Sequence, residues 1–246
     1  MFEVGELVKR RAFIAYILAP ALSAIVLALI GFGGRDRRIS GPLEKIPLPS
    51  PRYDSSLSIE YALKVRRSIR EYENKPLTLD QVAQLAWAAQ GITDKSYGFR
   101  TAPSAGATYP LEIYIVVKEN GVAGLSEGVY HYLPREHELE VVKRGDYSRE
   151  LMSACLDQEW VREAAINIVI TAIYERTTDR YRERGKIRYV HMEVGHVGQN
   201  IYLQCVSLGL GCVVIGAFYN EEVKKILGVN EEPLYVIPVG VKKGGW

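Results

Sequence analysis

The chain has 246 residues, 48% hydrophobic and 24% charged, with a formal net charge of +2. That is enough apolar material for one full-sized core, and so small a net charge leaves no basic footprint for nucleic acid. Three cysteines, Cys155, Cys205 and Cys212, form no C-x-x-C pair, which argues against a disulfide scaffold and a cysteine zinc site. In chain order, residues 12 to 34 carry no charge. This run is long enough to cross a bilayer, which takes about 20 apolar residues, so an N-terminal transmembrane helix is expected within a 1–34 anchor. No A-x-A site follows it, which favours an uncleaved anchor. Lys9, Arg10 and Arg11 precede it and Arg35, Arg37 and Arg38 follow it, so the positive-inside rule leaves the side of the membrane open. Arg10-Arg11-Ala12-Phe13-Ile14 looks like a twin-arginine export signal or, more plainly, flanking charge.

Residues 35–52 read as a linker, because Gly41, Pro42, Pro47, Pro49 and Pro51 oppose regular helix and sheet. The globular part is placed at 53–246. A first helix is expected from Ser58 to Arg67 or beyond. A second starts at the capping box Thr78-Leu79-Asp80-Gln81 and ends at Gly91. Strands follow at Leu111–Val117, Val129–Leu133, Glu138–Val142 and Ile166–Ile173. The longest helical pattern runs from Arg188 to Leu208 and carries Gly195 and Gly198, where a helix or a ligand can approach closely. Cys212–Phe218 reads as a strand, Glu221–Leu227 as a helix and Leu234–Val239 as a strand. Helices and strands mix without strict alternation, which points to α+β with a largely antiparallel sheet flanked by helices.

Two stretches carry chemistry. Arg66, Arg67, Ser68 and Arg70 place three guanidinium groups and a hydroxyl together, and arginine grips phosphate through bidentate, charge-assisted hydrogen bonds. If the first helix continues, Arg66 and Arg70 share one face; a basic, solvated helix end is the plainer alternative. The loop Ala102-Pro103-Ser104-Ala105-Gly106-Ala107 offers bare backbone to a flat ring and free N–H groups to its polar edge. Together they suggest a flavin nucleotide site.

The segments RRSIREY (66–72), LAWAAQGIT (85–93), RTAPSAGATYPLEIYIVV (100–117), GVYHY (128–132), RYVHMEVGHVGQNIYL (188–203), LGLGCVVIGAF (208–218) and EEPLYVIPVG (231–240) follow one another in that order. Over residues 53–246 the chain resembles the nitroreductase-like FMN oxidoreductases, within them the SagB-type dehydrogenase branch. The resemblance implies a nitroreductase-like α+β fold and a homodimer with FMN at the interface. It implies that Arg66, Arg67, Ser68 and Arg70 hold the phosphate and ribityl chain, and that Pro103, Ser104, Ala105 and Gly106 lie along the isoalloxazine. Val214, Ile215, Gly216 and Ala217 pack on its other face, and Lys242 or Lys243 adds a late basic contact. Ala107 stands where many relatives have a flavin-facing asparagine. Arg188-Tyr189 stands where the azoline-oxidising members have a Lys-Tyr pair; arginine stays protonated and is a poor general base, while Tyr189 can still exchange a proton.

The implied activity is hydride transfer through flavin N5 between NAD(P)H or an organic donor and an acceptor, with a small-molecule or peptide-derived substrate. Two alternatives are an azoline-type dehydrogenase of a peptide-modifying system and a catalytically weak, flavin-binding or flavin-free subunit that scaffolds a membrane-associated complex. No metal site is expected: His191 and His196 are five apart, which does not suit two ligands on one helix face, and His191-Met192-Glu193 lacks the P-C-x-x-C of zinc deaminases. Gly209-x-Gly211 precedes a strand instead of following one, which excludes a dinucleotide fingerprint.

Overall fold

The computed structural model describes residues 44–244. The membrane-helix expectation for 12–34 lies outside them. Among the described residues, no helix is long and apolar enough to cross a membrane.

The frame is one seven-stranded sheet in the order β1-β6-β5-β4-β7-β9-β8, with β1 Lys45–Pro47, β4 Leu111–Val117, β5 Gly128–Leu133, β6 Glu138–Arg144, β7 Ile166–Ala172, β8 Leu210–Cys212 and β9 Glu232–Val241. Its ladders are antiparallel. A separate two-stranded ribbon joins β2 Ile92–Asp94 to β3 Phe99–Arg100. The helices are α1 Ile59–Val65, α2 Leu79–Gln90, α3 Ser148–Ala154, α4 Glu159–Glu163, α5 Glu175–Tyr181, α6 Val190–Ser207 and α7 Asn220–Leu227.

Strand β4 shows why the sheet is central. Its side chains alternate, with Ile113, Ile115 and Val117 in one apolar cluster and Tyr114 and Val116 in another. Both faces are covered, so LEIYIVV reads as a nearly continuous apolar run. The first cluster includes Leu85 and Ala89 of α2 and Val197 and Ile201 of α6; the second includes Leu151 of α3 and Val223 of α7. Cys205 and Cys212 belong to the first and Cys155 to the second, all three buried as free thiols.

Several boundaries differ from the sequence reading. Within the stretch read as a linker, Lys45–Pro47 pairs with Glu138–Glu140 as an edge strand, where proline is tolerated. The long helix opens with a π-helical turn, Gly185–Tyr189, before α6. The strand expected at Cys212–Phe218 is shorter and earlier. Its ladder stops at Cys212, and beyond it Ile215 alone bridges to Val236. The capping box holds, with Thr78 accepting from Gln81 N and Gln81 accepting from Thr78 N.

Candidate functional site

The arginine stretch is not helical. Helix α1 is capped by Ser58, which accepts from Tyr61 N, and it ends at Val65. Arg66 turns to φ −48, ψ 128, so Arg66 and Arg70 do not share a helix face. The chain instead runs beside the end of the sheet. Ile69 N donates to Cys212 O at 2.9 Å and Glu73 N to Val241 O at 2.9 Å. Two glycines make this possible. Gly211 and Gly240 are register partners. A Cβ on Gly211 would sit 2.5 Å from Ile69, and one on Gly240 would sit 2.9 Å from Tyr72. Bare backbone therefore forms the floor on which the arginine stretch lies.

Tyr202 of α6 ties this stretch to the next part of the site. Its hydroxyl is 2.9 Å from Ser68 Oγ and accepts from Val214 N at 3.1 Å. Arg66 lies over the Tyr202 ring at 5.0 Å, and Arg70 over Trp160 at 5.4 Å. Arg67 donates to the carbonyls of Lys64 and Arg66. Among the described residues, none of the three arginines pairs with a carboxylate. Along 214–217, Ala217 O accepts from Gln158 at 3.3 Å, and a Cβ on Gly216 would meet no atom within 4 Å. Lys242 stands opposite Tyr72, and Lys243 N donates to Glu71 O. The structure thus places Arg66, Arg67, Ser68, Arg70, Val214, Ile215, Gly216, Ala217 and Lys242 along the β8–β9 edge of the sheet.

The second stretch is held in a strained form. Ala105–Ala107 makes a 3-10 turn, and Gly106, Ala107 and Tyr109 have φ of 61°, 53° and 44°. Left-handed non-glycine backbone costs of the order of 1 kcal/mol or more per residue and concentrates at functional sites. Here it is over-determined. Ser104 Oγ accepts from Tyr109 N at 2.9 Å, Thr108 Oγ1 lies 2.8 Å from Thr177 Oγ1, and Arg176 donates to Tyr109 O at 3.1 Å. Arg180 donates to Gly106 O at 3.3 Å. A Cβ on Gly106 would sit 2.6 Å from the Tyr181 hydroxyl. Tyr181 meets Tyr189 edge to face at 5.0 Å. Tyr189 therefore reaches the flank of the loop from the π-helical turn, a feature that recurs at functional sites, and Arg188 precedes it there as an exposed side chain. Pro103 and Gly106 are exposed, Ser104 and Ala105 half-buried.

One group here escaped the sequence reading. Glu193 of α6 is 2% exposed, and its Oε1 has no hydrogen-bond partner; Gln90 Nε2 and Arg100 Nε nearby are also unpartnered. Burial pushes the Glu193 carboxyl up to about 7, against the pull of Ser104, Gln90 and Arg100. A carboxylate falling on the apolar stripe Val190, Val194, Val197 was the available signal. His131 and His137 are also engaged: His131 lies 2.7 Å from Glu112 and stacks on Tyr114, and His137 bonds the Tyr132 hydroxyl and Pro49 O.

Residues 63–241 match the family model described as "Nitroreductase family". The chain belongs to the nitroreductase family. It is 50% identical over 186 residues to the nitroreductase-type protein MJ1384 of Methanocaldococcus jannaschii, covering 76% of this chain and 92% of that one. The microcin B17-processing protein McbC of Escherichia coli is 29% identical over 166 residues, 65% of this chain and 59% of McbC. A solved nitroreductase-type structure from Anabaena variabilis shares 31% identity at a TM-score of 0.72, over 85% of this chain and 43% of that chain. This nitroreductase-family chain thus spans less than half of the Anabaena chain and nearly all of MJ1384. A flat-ring nucleotide fits what is present: arginines without carboxylate partners, open backbone at Gly216, and a strained small-residue loop.

Proposed function

We propose that the chain is an FMN-dependent oxidoreductase. The observation that carries this reading is the pair of prepared surfaces on either half of α6. One is the arginine stretch laid over Gly211 and Gly240; the other is the left-handed Gly106 loop beside Tyr181 and Tyr189. Family membership supports it, since nitroreductases generally bind FMN. Bound FMN would supply two-electron hydride chemistry at flavin N5. In this reading Arg66, Arg67, Ser68, Arg70 and Lys242 hold the phosphate and ribityl chain. Pro103, Ser104, Ala105 and Gly106 lie along the ring, with Val214, Ile215, Gly216 and Ala217 on its other face. Tyr189 holds or passes a proton at its hydroxyl, and Arg188 contributes fixed positive charge.

The loop borders the first half of α6, and Tyr202, which holds Ser68, belongs to the second. The face of α6 bearing Met192, Gly195 and His196 is exposed, and a Cβ on Gly195 would meet nothing within 4 Å. We therefore propose a homodimer in which α6 helices approach and both chains contribute to each FMN. NAD(P)H is the proposed donor, and attachment to a membrane through residues 12–34 remains part of the proposal. A second reading, a dehydrogenase of a peptide-derived substrate, is favoured by the likeness to McbC. The E. coli microcin synthetase McbBCD complex, solved with truncated pro-MccB17 bound, shares 26% identity at a TM-score of 0.62, over 78% of this chain and 76% of that one. Anaerobic titration of the FMN-loaded chain with NADH and NADPH separates the two. Bleaching of the flavin spectrum by either nucleotide is expected for the first; a spectrum that stays oxidised contradicts a nicotinamide donor and favours the second.

A further inference from the structure

The segment from Arg176 to Arg188 contains six cations, Arg176, Arg180, Arg182, Arg184, Lys186 and Arg188, against two acids, Asp179 and Glu183. That is an excess of four positive charges in a chain whose total is +2. Among the described residues, Arg176 is the one cation of the six in a salt bridge, with Glu112 at 2.5 Å, while Lys186 lies over the Tyr174 ring at 5.3 Å and acts on Glu232 at longer range. The other five are exposed. A solvated charge run needs no fixed position, yet this one is anchored at both ends. Arg180 donates to Gly106 O and lies over the Tyr181 ring at 5.4 Å. Tyr181 packs on Tyr189, the residue after Arg188. Between these ends the backbone is held in unusual forms, Arg182 at φ 54 and the π-helical turn Gly185–Tyr189. Unneutralised like charges repel one another, and that repulsion is relieved when an anion enters. Arg180 uses one of its five N–H donors on Gly106 and keeps the rest for a bidentate partner.

We infer that this segment is the anion-reading rim of the site. A molecule that enters beside Tyr181 and Tyr189 carries a phosphate or carboxylate, held by Arg180 and Arg188 with Arg182 and Arg184 adding field. The inference rests on the redox reading above for what the molecule is, and names its chemical class. The anion can arrive on the electron donor, as a nucleotide phosphate, or on the acceptor, as a carboxylate.

Calorimetric titration of the full chain with FMN added, at low salt and without reductant, compares two matched pairs: 4-nitrobenzoate with nitrobenzene, and nicotinamide mononucleotide with nicotinamide riboside. The expected result is at least tenfold tighter binding of the anionic member of one pair, weakened by added salt and reduced about tenfold in R180Q/R188Q. The exposed pair R182Q/R184Q guards against misfolding of the first variant and should show a smaller loss of the same kind. Preference in the nicotinamide pair assigns the anion to the donor, and preference in the nitrobenzene pair assigns it to the acceptor. Equal binding within both pairs, or a preference that survives both variants unchanged, overturns the rim. Binding is read without turnover, so a chain that prefers anions but is never reduced contradicts the redox reading and leaves the rim standing.

Discussion

A carboxyl buried on the stripe of a helix makes stability depend on pH, and Glu193 is the clearest case. Its value in the fold, about 7, lies above the 4.5 it has when exposed. The folded state then binds a proton that the unfolded state has released. Its contribution is complete below about pH 4.5, falls as pH rises through about 7, and is flat beyond. Urea unfolding of the wild type should show a loss of roughly 2–3 kcal/mol between pH 5 and pH 8 from this group. Glu193→Gln should flatten that slope, and a variant with the wild-type slope would show that the carboxyl is not the source. At this scale the sequence reading found the residues whose chemistry is visible as composition: the arginines, the Ser-Ala-Gly loop and Tyr189. It missed Glu193, Tyr181 and Tyr202; for Tyr202 the reason is that its hydroxyl links Val214 to Ser68, which lies 134 residues from it in sequence.

At the scale of elements, two of the wrong boundaries share a cause. The backbone found partners other than the ones local pattern implied. Past Arg66 the chain leaves the helix, and Ile69 donates to Cys212 O across to β8. Past Cys212 the strand ends, and Val214 N donates to the Tyr202 hydroxyl in place of a ladder carbonyl. Both departures build the site, so local propensity fails there and succeeds at α2, where the capping box is complete. The packing of the arginine stretch can be tested at its floor. Gly211→Ala should push Ile69 off β8, costing about 1–3 kcal/mol as overpacking and weakening FMN retention. Thermal unfolding with a flavin-binding titration checks both, and unchanged values would mean that the stretch is not seated on that glycine.

The described residues form a covered antiparallel sheet with two apolar clusters, and that much was legible. Largely apolar strands such as Ile166–Ala172, interrupted by Asn167 and Thr171 alone, announce burial on both faces. The edge strand Lys45–Pro47 was not legible, because its prolines signal an extended path equally in a linker and at a sheet edge. The two prepared surfaces lie on different halves of α6, so a complete site is a property of the assembly in the proposed dimer and not of any one motif. That places the central claim, that these surfaces hold FMN, at the scale of the assembled protein.

The measurement that bears on it most directly is the visible absorption spectrum of the purified full chain after incubation with FMN and desalting, alongside R66A/R70A. The wild type should retain flavin, and the double variant should lose nearly all of it while keeping its thermal unfolding transition. A folded double variant that retains as much flavin as the wild type, or a wild type that retains none, would contradict the assignment.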